Sequence, residues 1–155
     1  MSFSLTRKTD YALVALATLV REKVEDGESL SARQIAEASD LPLPLLMNAL
    51  KELHRASIIC SRRGAGGGYY LCRPPEEISL KEVIEALEGP INITLCSGEA
   101  AEGEHELCRI LSLCHISVPM QRFNELLNEF LSKVTLKSLL DQQPAALQHR
   151  LGVNV

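Results

Sequence analysis

The chain has 155 residues, of which 46% are hydrophobic and none is tryptophan, so one domain with an aliphatic core is expected. No apolar run approaches the ~20 residues that cross a bilayer, and no cleavage site follows the apolar segment that opens with Asp10 and Tyr11. We therefore expect a cytoplasmic protein with no membrane partner. The net charge of −4 is uneven, because residues 1–75 carry ten Lys/Arg and eight Asp/Glu while residues 76–155 carry six and twelve. A basic front half permits nucleic-acid binding.

The first three predicted elements are helices. Apolar residues recur at helical spacing from Thr9 to about residue 22, and Ser31 is a good N-cap for a short helix in SARQIAEASD. The LPLP segment follows, and a proline suits the first turn of a helix because its missing N–H is not needed there. Leu46, Leu50 and Leu53 then repeat at intervals of four and three, which predicts a third helix at about 43–55.

A hairpin opens the next part of the chain. In IICSRRGAGGGYYLC, residues 58–72, two apolar strands flank a glycine-rich turn. A helix at about 80–88 follows, capped by Ser79 and ended by Gly89-Pro90. A long amphipathic helix is expected in VPMQRFNELLNEFLSKVTLKSLL, whose apolar face carries Met120, Phe123, Leu126, Leu127, Phe130, Leu131 and Val134. Residues 142–155 are polar and are expected to be a flexible tail.

Three helices followed by a glycine-tipped hairpin are typical of a winged helix-turn-helix. We therefore expect a mainly α fold with a small β-hairpin, in which the helix at about 43–55 enters the major groove of DNA and the hairpin, or wing, reaches the minor groove. Asn48 is suited to reading adenine, and Lys51 to binding phosphate or guanine. For any one such residue the alternative is a solvated helix face. The expected DNA contacts are Ser31, Arg33, Pro44, Met47, Asn48, Lys51, Arg62, Arg63 and Gly66.

The wing has its own candidate contacts. Arg62 and Arg63 stand at the tip beside glycines, which let the backbone approach a surface closely. An arginine in this place can enter the minor groove or pair with phosphate. The alternative is a solvated turn in which the glycines only supply positive φ.

Three of the five cysteines lie in the acidic segment CSGEAAEGEHELCRILSLC, with the spacing C-x11-C-x5-C. The C-x2-C pair typical of structural zinc sites does not occur in the sequence. Thiolates on a loop suit an iron–sulfur cluster, and a redox-sensing set of thiols or incidental cysteines are the alternatives.

Two further cysteines, Cys60 and Cys72, are equidistant from Gly66 and so can face each other across the hairpin. We expect these two to be small apolar residues in paired strands, since thiols stay reduced in the cytosol.

Several segments together resemble one family. SLTRKTDYALVALATL, LSARQIAEASDLP, RRGAGGGYYLCRPPEEISLKEVIEALEGP, the three cysteines and VTLKSLL are similar to the IscR/NsrR-type winged-helix iron–sulfur transcription regulators, over roughly residues 3–141. The C-terminal part looks like the branch that regulates SUF cluster assembly. The resemblance implies a homodimer whose long helices, about 119–133, pack together and whose two winged helices read a palindromic operator.

The resemblance also implies a ligand set. Cys96, Cys108 and Cys114 match the family cysteines, although the first gap is longer than is common in the family. A [2Fe–2S] cluster is favoured over [4Fe–4S], between the cysteine loop of one subunit and the N-terminal helix of the other. Asp10 matches the aspartate that nitric-oxide-sensing members supply, with His115 the second choice of fourth ligand and His105 the third. For Asp10 the alternative is a carboxylate favoured by the helix dipole.

The predicted function is that of a transcription regulator, expected to be a repressor, which senses cluster status, oxidation or nitric oxide. We expect no enzymatic activity and no small-molecule substrate. The expected layout is a winged-helix domain at 1–78, the cluster-binding loop and dimerisation helices at 79–141, and the tail. Two alternatives stay open: a cluster-free, thiol-based redox regulator, and an iron–sulfur carrier that does not bind DNA.

Overall fold

A computed structural model of the chain describes residues 5–22, 28–64, 66–94 and 113–141. In this part of the chain the fold is mainly helical with one antiparallel hairpin, which confirms the predicted fold class. None of the helices in these ranges is long and apolar enough to cross a bilayer. In chain order the elements are α1 (Arg7–Arg21), α2 (Ala32–Ser39), α3 (Leu43–Arg55), β1 (Ile59–Arg62), β2 (Gly68–Leu71), α4 (Leu80–Glu88), α5 (Ser117–Lys133) and α6 (Leu136–Leu140).

The predicted helix caps form as the sequence indicates. Ser31 Oγ accepts a hydrogen bond from the backbone N–H of Gln34 at 3.2 Å, and Gln34 Oε1 accepts one from the N–H of Ser31 at 2.9 Å. Ser79 and Glu82 form the same reciprocal pair at the start of α4. Each box satisfies backbone donors that the first helical turn leaves without an intrahelical acceptor.

A single hydrophobic core joins most of these elements. Leu16 of α1, Ile35 of α2, Leu50 of α3 and Ile59 of β1 are all fully buried in it. Burial of one such side chain contributes about 1.5–3 kcal/mol. The same core includes Val83, Leu87 and Leu136, so α4 and α6 pack on the helix-turn-helix rather than apart from it.

The C-terminal apolar run is divided into two helices. α5 ends at Lys133, Val134 is extended, and Thr135 caps α6 by accepting a hydrogen bond from the Ser138 N–H at 3.2 Å. Val134 and Thr135 are β-branched, which favours extended backbone. Residues 134–136 are hydrogen-bonded to the start of α4. The Leu80 N–H donates to the Val134 carbonyl at 2.7 Å, and Ser79 and Thr135 form an isolated antiparallel bridge.

The wing hairpin pairs Ile59 with Leu71, Cys60 with Tyr70, Ser61 with Tyr69, and Arg62 with Gly68. Its second strand is also bonded to the segment before α2, because Tyr69 and Leu30 exchange N–H···O bonds of 2.7 and 3.0 Å. A Cβ atom on Gly68 would lie 2.3 Å from the Leu30 carbonyl carbon. Glycine is therefore required where the two backbones approach.

The expectation that Cys60 and Cys72 are unlinked apolar residues is wrong, because the structure joins them in a disulfide. They are also not directly opposite each other. Cys60 faces Tyr70, and the Cys72 N–H donates to the Ile58 carbonyl at 3.1 Å, so the two cysteines are diagonal neighbours on one face of the hairpin. Their Cα atoms are 5.2 Å apart, a separation that a disulfide can bridge.

Candidate DNA-binding surface and cysteine loop

An open groove of about 380 Å³ separates α3 from the wing. Three predicted contacts from α3 line it, namely Met47, Asn48 and Lys51, and all three are exposed. The positions follow from helical spacing, since the opposite face of α3 buries Leu46, Leu50 and Leu53 in the core. The outer face therefore offers an amide, an ammonium group and an apolar side chain to a ligand in the groove.

Sequence reasoning missed three residues of the same groove, which are His54, Ser61 and Tyr69. His54 lies three residues after Lys51, so helical spacing predicts it on this face. Ser61 and Tyr69 are opposite each other in the hairpin, and that register is not readable from sequence. Ser61 Oγ lies 3.2 Å from His54 Nε2, a hydrogen bond that joins the wing to the last turn of α3.

The wing tip presents the two predicted arginines. Arg62 ends β1, and its guanidinium carbon lies 5.9 Å from the centroid of the Tyr70 ring, within reach of a cation–π contact. Arg63 follows in the turn and is exposed. Gly66 has φ +81°, a conformation that favours glycine, and its carbonyl accepts a hydrogen bond from Ser29 Oγ at 3.0 Å. The turn is thus held to the body of the domain.

The other predicted DNA contacts lie at helix starts. The Ser31 hydroxyl is engaged in capping α2, and Arg33 is exposed in the first turn of that helix. Pro44 is exposed in the first turn of α3. Ser31 and Arg33 therefore lie at the start of α2, and Pro44 lies at the start of α3.

The residues just before the cysteine segment, 95–112, are hydrogen-bonded to α5. Asn124 Oδ1 accepts a hydrogen bond from the Ile93 N–H at 3.2 Å, and Asn128 Nδ2 donates to the Ile91 carbonyl at 3.2 Å. Asn124 is 6% exposed, and the bond from Ile93 satisfies this buried polar side chain on the inner face of α5. At the other end of the loop, the Cys114 carbonyl accepts hydrogen bonds from the Ser117 N–H at 3.4 Å and hydroxyl at 2.9 Å. Both flanks of residues 95–112 are thus anchored at α5.

The predicted cluster ligands are described only in part. Cys114 is a free, half-buried thiol just before α5, and His115 beside it is exposed. Asp10 is exposed in the first turn of α1. Cys96, Cys108 and His105, like the tail at 142–155, lie outside the described residues. Within the described ranges, no three His, Cys, Asp or Glu side chains come together as a metal site.

A carboxylate ties α4 to the turn of α1 that carries Asp10. Glu88 Oε1 accepts hydrogen bonds from the Thr6 N–H at 3.0 Å, the Thr6 hydroxyl at 2.6 Å and the Thr9 hydroxyl. Desolvation raises the pKa of Glu88, but these donors and the nearby Lys8 outweigh it and hold the pKa below its ordinary value. The ionised carboxylate therefore fastens the start of α1 to the end of α4.

One face of α5 carries exposed apolar side chains. Phe123, Leu126 and Phe130 are 52%, 47% and 38% exposed and follow each other at intervals of three and four. Ile116 and Val118, nearer Cys114 in the chain, are also exposed apolar residues. Part of the predicted apolar face is therefore left uncovered within a single chain.

Comparison with known proteins places the chain in a family. Residues 5–142 match the Rrf2 family model, described as an iron-dependent transcriptional regulator. The chain is 36% identical over 99 residues to the HTH-type transcriptional regulator IscR of Cereibacter sphaeroides, a match that spans 64% of this chain and 63% of that protein. It is 28% identical to the IscR of Erwinia tasmaniensis, over 90% of this chain and 79% of that one.

Solved structures agree. The structure of CymR, the global cysteine regulator of B. subtilis, superposes with a TM-score of 0.66 at 25% identity, covering 92% of this chain and 99% of CymR. In helix-turn-helix proteins the second helix of the motif, here α3, is the one that enters the major groove. The chain belongs to the Rrf2 family and is a helix-turn-helix transcriptional regulator.

Proposed function

We propose that the protein is a homodimeric repressor whose affinity for a palindromic operator depends on an iron–sulfur cluster. The proposed ligands are Cys96, Cys108 and Cys114 of one subunit and Asp10 of the partner subunit. The observation that carries the proposal is the anchoring of both flanks of the cysteine loop at α5, with the free thiol of Cys114 at the entrance to that helix.

The DNA-binding half of the proposal assigns separate tasks to α3 and the wing. Asn48 has the amide that reads adenine in the major groove, while Lys51 supplies charge for phosphate or guanine. Arg62 and Arg63 at the wing tip contact the adjacent minor groove or its phosphates. The His54–Ser61 hydrogen bond links these two surfaces.

A second copy of the chain is the proposed cover for the exposed face of α5. A stripe of Phe123, Leu126 and Phe130 at intervals of three and four suits packing against an identical helix. Two-fold symmetry would present two winged helices to DNA, and symmetric dimers of this class read palindromic half-sites about one helical turn apart.

The donor set fits an iron–sulfur cluster. Thiolates are the ligands that iron–sulfur clusters prefer, and a [2Fe–2S] core accepts four protein ligands. Asp10 would supply an oxygen ligand from an exposed helical turn. When bound, the cluster would supply a redox-active centre that oxidants can alter or destroy.

The chain's own residues offer a route from this site to DNA. Asp10 lies one residue after Thr9, which is bonded to Glu88, and α1 buries Leu16 and Leu19 against the core that also holds α3. A change at the Asp10 ligand would therefore move the start of α1, and the helix would transmit that movement to α3, against which it packs. We propose that this helix carries the response, as a shift between two positions of α1.

The proposal is tested by DNA affinity. Fluorescence anisotropy with a duplex selected by the protein from a random-sequence pool is measured for apo and anaerobically reconstituted protein at two salt concentrations. We expect the two forms to differ in Kd by about tenfold or more at both salt concentrations. Equal affinities would overturn cluster control.

A cluster-free regulator is the remaining alternative, and a specific observation favours it: the described residues already contain a cysteine pair that forms a disulfide. Oxidant-dependent DNA binding by protein without iron would support it. An iron–sulfur carrier that does not bind DNA does not fit the family.

A further inference from the structure

The disulfide between Cys60 and Cys72 lies at the base of the wing and uses none of the three cysteines proposed as cluster ligands. We propose that these two cysteines form a second redox site, a dithiol–disulfide pair that stiffens the wing on oxidation and tightens DNA binding. This site requires neither a metal nor Cys96, Cys108 or Cys114. It therefore goes beyond the proposed cluster and stands if that proposal fails.

The backbone brings the two sulfurs together without any rearrangement. The hairpin register makes Cys60 and Cys72 diagonal neighbours on one face, with Cα atoms 5.2 Å apart. Both residues are half-buried, so a small oxidant has access to the pair while neighbouring side chains partly shield it. Fully buried cysteines are chemically inert by comparison.

The link closes a ring that contains the whole wing tip. The chain on either side of this ring is held in place. Ile58 and Ile59, which precede Cys60, are buried, and Arg73, which follows Cys72, forms an ion pair with Glu82 at 2.9 Å. Beyond the link, the strand pairs Ser61–Tyr69 and Arg62–Gly68 precede the turn. The tip has two further attachments, which are the bonds between Tyr69 and Leu30 and the single bond from Ser29 to the Gly66 carbonyl.

The tip itself is rich in glycine, at positions 64, 66, 67 and 68. Glycine loses more conformational freedom on ordering than any other residue. Cross-linking the base reduces the number of conformations open to the tip before it meets DNA. Less freedom is then lost on binding, which is the general basis of preorganised affinity.

The chemistry is thiol–disulfide exchange with a low-molecular-weight disulfide such as oxidised glutathione. The thiolate of one wing cysteine attacks a sulfur of the oxidant, forms a mixed disulfide and releases one thiolate. The second cysteine thiolate attacks the protein sulfur of that mixed disulfide, forms the Cys60–Cys72 bond and releases the other thiolate. Two protons and two electrons leave the pair, and the oxidant becomes two thiols. In a compartment that keeps thiols reduced, the resting form is the dithiol.

The test uses the full chain with Cys96, Cys108 and Cys114 all replaced by serine, so that only the wing pair carries sulfhydryl groups. The protein is equilibrated in buffers of reduced and oxidised glutathione and analysed by mass spectrometry under non-reducing conditions. Its Kd for a duplex selected by the reduced form from a random pool is then measured by anisotropy. The matched control adds Cys60→Ser and Cys72→Ser to the same background.

We expect the intact wing pair to lose two hydrogens on oxidation, without bound glutathione, and its Kd to fall by about three- to tenfold. Hydrogen exchange at the wing amides should slow in parallel, and the control should show neither change. Failure to form the intramolecular disulfide would overturn the proposal, and so would an oxidised protein with the same Kd as the reduced one. Because the background cannot hold the proposed cluster, neither result depends on iron.

Discussion

The Thr9 hydroxyl donates a hydrogen bond to the carboxylate of Glu88. Because Thr9 precedes Asp10 and Glu88 is the last residue of α4, this bond joins the start of α1 to the end of α4. The segment after α4 leads, through Ile91 and Ile93, to the cysteine loop and is held by α5. The start of α1 and the entrance to the loop are therefore connected within each chain through one carboxylate. The first two predictions concern this connection.

Glu88→Gln should lower stability at neutral pH by about 1 kcal/mol, because it removes the charge from an acceptor of three hydrogen bonds. The folded pKa of Glu88 lies below its ordinary value of 4.5. Its contribution is therefore present above that ordinary value and is lost as the pH falls through the lower folded pKa. Urea unfolding at neutral pH and in acid measures the difference between variant and wild type, which should shrink in acid. Glu77→Gln, at an exposed position before α4, is the control, and a Glu88→Gln defect that persists unchanged in acid would contradict the account.

Asp10→Ala should shorten the lifetime of a reconstituted cluster in air and change its visible spectrum, because one proposed ligand is lost. The decay of visible absorption measures this. Apo-protein stability should change by less than about 1 kcal/mol, since Asp10 is exposed and contributes only a dipole interaction. Glu37→Ala, an exposed carboxylate on α2, is the control. An unchanged spectrum and lifetime would shift the assignment to His115.

Lys51→Ala should weaken binding to all duplexes about equally and reduce the salt slope of log K by about one. Asn48→Ala should instead cost about 1–3 kcal/mol at one base pair and relax the preference there. Anisotropy with a selected duplex and its single-base variants separates the two effects. The control is Arg21→Ala, which removes an exposed positive charge at the end of α1, away from the groove. An equal loss of affinity in Arg21→Ala would mean that overall charge, not the α3 face, governs binding.

Gly68→Ala should weaken DNA binding by about tenfold, because the new Cβ would overlap the Leu30 backbone and force the wing from its place at a cost of about 1–3 kcal/mol. Hydrogen exchange of the Tyr69 amide, which bonds to Leu30, reports the displacement directly. Ser29→Ala, which removes one hydrogen bond to the turn, should have a smaller effect in the same direction. A Gly68→Ala protein with wild-type affinity would show that the wing position does not matter for binding.

Phe123→Glu should weaken self-association by at least about tenfold, because it puts a carboxylate into the exposed apolar stripe of α5. Analytical ultracentrifugation over a range of concentrations measures the change. Gln121→Glu adds the same charge at an exposed position of α5 that lies outside the stripe, and it should leave association unchanged. If wild type and Phe123→Glu are both monomers, the proposed homodimer is wrong.

Helix positions were largely predictable because their determinants are local. Ser31 and Ser79 define the starts of α2 and α4 through capping boxes that are legible in the sequence, and Gly89 marks the end of α4. The division between α5 and α6 was missed because an amphipathic period continues across it. That break depends on bonding of Val134 and Thr135 to the start of α4, a contact distant in sequence.

The wing shows where sequence reasoning reaches its limit. Placing its centre at Gly66 put Cys60 directly opposite Cys72, whereas the observed register puts Cys60 opposite Tyr70. The two registers differ by two residues, a shift that leaves every side chain on the same face of the hairpin. Several turn geometries satisfy the same glycine-rich residues, so the sequence does not distinguish the two registers. The groove partners Ser61 and Tyr69 depend on that register and were missed for the same reason.

Chemical analysis of anaerobically reconstituted protein tests the central claim most directly. Iron and acid-labile sulfide are quantified per chain in wild type and in Cys96→Ser, Cys108→Ser and Cys114→Ser. The account predicts a coloured wild type with iron and sulfide in stoichiometric amounts, and loss of both in each variant. A colourless wild-type protein without stoichiometric iron or sulfide would contradict it.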